Sequence, residues 1–153
     1  MKKAFLMLAL GGAGLFAACN KDKDGPAPAD NLQGKWQLEQ SNTRLSVGGV
    51  VLKDTAVRNA DLDACLQDNF MAFAPSGVGY ISKGATLCAG EAATADSFSY
   101  ALTNNNKSLY IGARGYNDTF NLKTLNNSSL VFYKDYSTNG GMLTVETSFK
   151  KIP

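Results

Sequence analysis

Leu143-Thr144-Val145-Glu146-Thr147-Ser148-Phe149-Lys150, close to the C-terminus, is the segment most informative about the fold. Apolar or β-branched side chains occupy its odd positions, and polar or charged side chains occupy its even positions. A period of two is the repeat of a β-strand, whose successive side chains point to opposite faces. One face of this strand is therefore expected to lie against a core and the other in water, as in an antiparallel sheet.

The same alternation recurs towards the N-terminus, for example where Phe98, Tyr100 and Leu102 alternate with smaller residues. The segments between such runs are rich in Asn and Gly, as in Asn139-Gly140-Gly141, and these residues suit hairpin turns. Strands are predicted at 34–40, 46–53, 69–74, 78–83, 97–103, 108–113, 117–124, 129–135 and 142–150.

This series of strands predicts an all-β chain, folded as an antiparallel up-and-down β-barrel of about eight strands. A two-sheet sandwich has the same strand count and is the alternative. The one stretch with helical character is 59–67, where Leu62 and Leu66 are four residues apart and Asp61 is placed to cap a short turn.

The first residues have the pattern of an export signal. Lys2 and Lys3 precede an apolar run at 4–16, and small residues lead to Cys19. The run is shorter than the roughly 20 residues that cross a bilayer as a helix. The predicted organisation is a signal peptide at 1–18, an acylated cysteine with a flexible tether at 19–31, and one barrel domain at 32–153.

Phe16-Ala17-Ala18-Cys19 resembles the lipobox of bacterial lipoproteins, with Phe where Leu is usual. The charged run at 20–24 is similar to the surface-export signal of lipoproteins from Bacteroidetes-type bacteria. The resemblance implies that chains such as palmitate attach Cys19 to the outer membrane, at the cell surface or on the periplasmic face. The alternatives are an ordinary secretory peptide before Cys19 and a merely solvated tether at 20–24.

Charge argues against nucleic acid as a partner. Without Lys2 and Lys3 the basic count falls from 15 to 13, which equals the 13 acidic residues. Apart from the adjacent Lys150 and Lys151, the remaining Lys and Arg are scattered singly, and they form no basic stripe with interleaved aromatic residues.

Cys65 and Cys88 remain once Cys19 is assigned to the lipid, in a chain expected to enter an oxidising compartment. A disulfide between them is the simplest prediction. A metal-binding pair or a reactive thiol is the alternative. The chain contains no histidine, so a zinc site would need carboxylate ligands, and no metal site is predicted.

The composition also predicts that the protein is not an enzyme. Without histidine neither a Ser-His nor a Cys-His nucleophile can form, and the sequence has no phosphate-binding loop. Asp61, Asp63 and Asp68 are candidates for paired-carboxylate hydrolysis, but capping and solvation of a loop is the favoured interpretation. No catalytic residue and no cofactor are predicted.

The opening Leu32-x-Gly34-x-Trp36-x-Leu38 resembles the Gly-x-Trp motif of lipocalins. With the cysteine pair and the strand spacing, residues 32–152 resemble the lipocalin-like lipoproteins of Bacteroidetes. The resemblance implies a lipocalin-like barrel in which Lys150 or Lys151 packs over Trp36. Gly34 and Trp36 are assigned structural roles, and Trp36 is expected to close one end of the barrel as core rather than to contact a ligand.

A barrel of about eight strands is either filled by side chains or holds one small ligand. We expect it to bind a small, largely apolar ligand. The residues predicted to face the interior are Leu38, Phe70, Phe98, Tyr100, Leu109, Ile111, Phe120, Leu122, Phe132, Leu143 and Val145. The alternative is a ligand-free barrel that serves as a subunit of a cell-surface assembly and contacts a protein partner through Tyr133 and Tyr136, with Tyr110 and Tyr116.

Asp54-Thr55-Ala56 resembles the acceptor for O-linked glycans on exported proteins of such bacteria. It makes Thr55 a candidate glycosylation site, with an unmodified polar loop as the alternative.

Overall fold

A computed structural model describes residues 28–153 of the chain. The predicted signal peptide, Cys19 and most of the tether therefore lie outside the described residues. The helices are α1 (Pro28–Leu32) and α2 (Ala64–Gln67), with a 3-10 turn at Asn59–Asp61. The strands are β1 (Gly34–Val47), β2 (Val50–Arg58), β3 (Phe70–Phe73), β4 (Val78–Ser82), β5 (Asp96–Thr103), β6 (Ser108–Ala113), β7 (Tyr116–Leu125), β8 (Ser129–Thr138) and β9 (Gly141–Ile152).

Strand β1 closes the barrel. It pairs with β9 along Lys35 to Ser46 and with β3 along Gly34 to Gln37. From β3 onward each strand pairs with the next one in the sequence, and every pairing is antiparallel. The result is a closed eight-stranded up-and-down barrel, as predicted. The sandwich alternative is excluded because the first and last of these strands pair with each other.

Strand β2 is a ninth strand outside the closed ring. It pairs with β1 from Gln40 to Val47, beyond the part of β1 that β3 occupies. The predicted strand 46–53 is wrong, because that segment contains the turn between β1 and β2. Gly48 and Gly49 have φ of 56° and 83°, a left-handed conformation that glycine adopts without a side-chain clash.

Helix α1 precedes β1, and the 3-10 turn and α2 lie between β2 and β3. The predicted helical turn at 59–67 is present as the 3-10 turn and α2, and the Asp61 carboxylate accepts a hydrogen bond from the Arg58 backbone N–H at 2.9 Å. Residues 28–31, predicted as the end of the tether, instead belong to α1. This helix is held to the barrel by the fully buried Leu32.

Trp36 closes one end of the barrel and is fully buried. Its indole N–H donates to the Leu32 carbonyl oxygen at 2.7 Å. The Lys151 ammonium lies 5.1 Å from the centre of the Trp36 ring and donates to the Asn31 carbonyl at 3.1 Å. Of the two lysines expected over Trp36, the structure therefore places Lys151 there.

The absence of a side chain at Gly34 leaves room for the side chain of Lys151. Its φ is 114°, and a Cβ atom at this position would lie 2.8 Å from Cε of Lys151. A larger residue would strain the backbone and displace the lysine that covers Trp36. We refer to this end, where α1, Trp36 and Lys151 meet, as the closed end.

The predicted disulfide between Cys65 and Cys88 is present. It joins α2 to the loop between β4 and β5. Asp68 fastens the same loop, because its carboxylate accepts backbone hydrogen bonds from Ala85 at 2.8 Å and Thr86 at 3.0 Å. These two bonds lower the pKa of Asp68 from its ordinary value.

Within residues 28–153, no helix combines the length and the apolar character needed to cross a membrane.

Candidate functional site

The strand register determines which side chains enter the barrel, since directly opposite residues of an antiparallel pair point to the same face. The buried Trp36 lies opposite Met71, and Phe98 lies opposite Gly79. Following the pairing from strand to strand identifies, on each strand, the alternate residues that face the barrel interior. We call these residues the inner row. On β8 this row is Leu130, Phe132, Lys134 and Tyr136.

The barrel contains an apolar cavity of ≈ 230 Å³, which we call the barrel cavity and which is open to solvent beside the exposed Ile81 and Tyr116. This is larger than the ~150 Å³ apolar cavity known to take up benzene, and slightly smaller than typical ligand sites of about 300–1,000 Å³. The barrel cavity therefore has room for one small apolar group. It is lined by Met71, Ile81, Asp96, Ser97, Phe98, Ile111, Ala113, Tyr116, Phe120 and Phe132.

A smaller cavity of ≈ 120 Å³ adjoins the barrel cavity, and Met71 and Ile81 line both. Its other lining residues are Trp36, Leu38, Asn69, Phe70 and Phe149. A third cavity, of ≈ 250 Å³, lies at the closed end and is lined by residues of α1 and of two turns together with Tyr100 and Leu102. Its wall mixes polar and apolar groups, so the barrel cavity is the better candidate for an apolar ligand.

A group of polar side chains lies next to the barrel cavity on the side away from Trp36. It consists of Tyr116, Asp118, Lys134 and Tyr136, which we call the polar collar. Asp118 is opposite Ile111 in the register and so faces inward. Its carboxylate forms an ion pair with Lys134 and accepts a hydrogen bond from the Tyr116 hydroxyl at 3.0 Å.

The ion pair of the polar collar is partly shielded from water, whereas Tyr116 and Tyr136 are exposed. The side chains of Lys134 and Asp118 are 27% and 13% exposed, so their ion pair is only partly solvated. Desolvation raises the pKa of the Tyr116 hydroxyl, and the nearby Tyr136 raises it further. Tyr116 is therefore a neutral hydrogen-bond donor at neutral pH.

A family model of the lipocalin-like domain matches residues 32–132. The chain belongs to this family. The match begins with the buried Leu32, includes Gly34 and Trp36, and ends within β8. No curated protein matches the sequence. The lipocalin-like domain is thus identified by its family and by the closure of its barrel.

Most of the residues predicted to face the interior of the lipocalin-like barrel do so. Phe98, Ile111, Phe120 and Phe132 line the barrel cavity, and Leu38 lines the smaller one. The others lie elsewhere on the inner face: Tyr100 at the closed-end cavity, Leu109 and Leu122 in the core, and Leu143 and Val145 on the inner face of β9.

Phe70 is in part a correction. It borders the smaller cavity, but the register places it opposite Gln37, on the face away from Trp36, and its ring packs edge-on against Tyr80 at 6.2 Å. The Lys35 ammonium covers that ring at 5.6 Å from its centre. Met71 points inward instead. Four consecutive apolar residues, Phe70-Met71-Ala72-Phe73, give no alternation from which the inner face could be predicted.

Two of the tyrosines proposed as an outer contact patch are also corrections. The register places Tyr116 opposite Ala113, where it lines the barrel cavity, and Tyr136 opposite Leu143 on the inner face, although both side chains remain exposed, at 47% and 39%. Tyr110 and Tyr133 do face outward. The sequence did not reveal the inward position of Tyr116, because the pattern Tyr116-x-Asp118-x-Phe120 combines a charged residue with two aromatic ones.

The remaining polar candidates have separate local surroundings. Asp61 and Asp68 accept the backbone hydrogen bonds described above, and Asp63 precedes α2. Among residues 28–153, no three His, Cys, Asp or Glu side chains are grouped so as to hold a metal ion. Thr55 lies in the middle of β2, exposed and opposite Thr43, rather than in a loop. Its glycosylation stays a prediction.

Proposed function

We propose that this lipocalin-like protein is an exported lipoprotein, acylated at Cys19, whose barrel binds one small, largely apolar ligand without catalysing a reaction. The observation that carries the proposal is the barrel cavity. Its wall is formed mostly by aromatic and aliphatic side chains from β3 to β8, with Asp96 and Ser97 as polar members, and a closed sheet positions them. Rigid walls of this kind reduce the entropy lost when a ligand binds.

The anchoring part of the proposal rests on the sequence. The basic start, the short apolar run and Cys19 support processing as a lipoprotein, and the charged run after Cys19 supports display at the surface of a Bacteroidetes-type outer membrane. Two or more acyl chains would hold the chain stably, since one gives only marginal binding. The periplasmic face is the alternative location.

The chemistry of the site supports binding rather than catalysis. Asp118, Lys134 and Tyr116 are engaged with each other through an ion pair and a hydrogen bond. With no histidine in the chain, the commonest general base is absent. We therefore propose that the protein takes up its ligand and releases it unchanged.

Fluorescence titration with phenylnaphthylamine, a neutral apolar probe, tests ligand binding. The native protein is expected to bind the probe saturably. Ala113→Phe fills the barrel cavity, since Ala113 lines it, and should weaken probe binding at least tenfold.

Ala101→Phe is the matched control. Ala101 lies opposite Tyr110 on the outer face of β5, and this variant should bind the probe as the native protein does. Thermal unfolding would verify that both variants are folded. If the native protein does not bind the probe, the binding function is rejected and the role of a structural subunit becomes the better hypothesis.

A further inference from the structure

We propose that the ligand carries a neutral hydrogen-bond acceptor, such as a ketone, ester or amide carbonyl, which binds to Lys134 while the apolar part of the ligand fills the barrel cavity. This inference rests on the proposed function and specifies the ligand class of the same site. The observations behind it are the position of Lys134, the hydrogen bonds around Asp118 and the charges at the cavity wall.

Lys134 is placed to reach a ligand in the barrel cavity. It lies two residues from Phe132 on the inner face of β8, opposite Val145. Its ammonium is 6.0 Å from the centre of the Phe120 ring and 5.5 Å from that of Tyr136. Phe120 and Phe132 both line the cavity. A ligand whose apolar chain lies between these two rings would therefore place its polar head group at Lys134.

In the polar collar, the Asp118 carboxylate already accepts several hydrogen bonds, whereas the Lys134 ammonium has N–H donors left for a ligand. Asp118 accepts bonds from Lys134, from the Tyr116 hydroxyl and, at 2.8 Å, from the Thr119 backbone N–H. A lysine ammonium has three N–H donors. Within residues 28–153 the structure gives Lys134 one acceptor, Asp118. Its other donors can therefore bind an acceptor that a ligand supplies.

The charges favour a neutral acceptor over a carboxylate. Asp118 already neutralises Lys134, and its side chain is only 13% exposed. A ligand carboxylate at Lys134 would bring a second negative charge close to Asp118, where partial shielding from water strengthens the repulsion. The exposed Asp96 adds a further carboxylate to the cavity wall. A carbonyl oxygen accepts the lysine hydrogen bond without adding charge.

Competition against phenylnaphthylamine with two ligands of equal carbon number, methyl heptyl ketone and nonanoate, tests the inference at pH 7. The native protein is expected to bind the ketone more tightly than nonanoate. In the double variant Lys134→Met with Asp118→Asn, which leaves no unpaired charge, ketone affinity relative to probe affinity should fall about tenfold, as expected for losing a hydrogen bond from a charged donor.

Asp118→Asn alone is the decisive second variant. It keeps the donors of Lys134 but removes the negative charge that neutralises the ammonium. The affinity for nonanoate should therefore rise about tenfold and exceed the affinity for the ketone. Lys150→Met is the matched control, because Lys150 lies on the outer face of β9 opposite Gln37. This variant should bind both ligands with the affinity of the native protein.

The outcomes separate this inference from the proposed function. If the probe binds but the double variant leaves the relative ketone affinity unchanged, or if native protein prefers nonanoate, the head-group assignment is overturned and cavity binding stands. If the native protein binds no probe, both proposals fail.

Discussion

Gly79 leaves room for residues of the two strands on either side of it. It lies on β4, opposite Phe98 of β5, and a Cβ atom at this position would collide with the Phe98 ring. The same Cβ would lie 2.7 Å from the carbonyl oxygen of Ala72 in β3. The absence of a side chain thus lets Phe98 enter the barrel and form part of the cavity wall.

Gly79→Ala is therefore expected to destabilise the domain by about 1–3 kcal/mol, the usual cost of adding a methyl group to a packed site. Urea unfolding measures this as a lower midpoint. Gly140→Ala is the control, because a Cβ atom there would meet nothing within 4 Å. Equal midpoints for the two variants would contradict the close packing at Gly79.

Trp36 shows what a single motif predicts and what it leaves open. Its burial at the end of a barrel followed from the Gly-x-Trp resemblance. The choice of Lys151 over Lys150 depends on the register of β9, where Trp36 lies opposite Lys151 and Gln37 lies opposite Lys150. Only the pairing of β1 with β9 determines which lysine points inward.

At the scale of the elements, strand positions were predictable where polar and apolar residues alternate. The runs at 97–103, 108–113 and 142–150 agree closely with β5, β6 and β9. The prediction was wrong at 46–53, where Val and Leu flank Gly48-Gly49, and undetermined in β3, where all four residues are apolar. At 46–53 hydrophobicity alone does not show where one strand ends and the next begins. In β3 it does not show which side chains face inward.

The disulfide joins two elements that the sheet does not pair, α2 and the loop before β5. Replacing both cysteines, as Cys65→Ser with Cys88→Ser, should lower the free energy of unfolding by about 3 kcal/mol, since the separation of 23 residues restricts the unfolded chain. Denaturant titration measures the loss. Reducing agent should destabilise the native protein and leave the double variant unchanged; a variant as stable as the native protein would contradict this account.

At the scale of the whole molecule, the proposed anchor and the barrel are separate functional parts. If Cys19 carries the lipid, the native protein should partition with membranes and have an intact mass above that of residues 19–153. Cys19→Ala should abolish both properties while the purified barrel still binds phenylnaphthylamine. A native protein that is not membrane-bound and has the mass of the bare polypeptide would reject the anchor.

Sequence alone was enough to predict the all-β class, the approximate strands, the cysteine pairing and the lipocalin-like family, because local periodicity and a few spaced motifs carry that information. The folded structure was needed to show the closure of β1 against β9, the inward position of Met71 and Tyr116, and the contact of Asp118 with Lys134. These features depend on the register across strands that are distant in sequence, since that register defines the barrel interior. A one-residue change in pairing exchanges inner and outer faces, and no single strand contains that information.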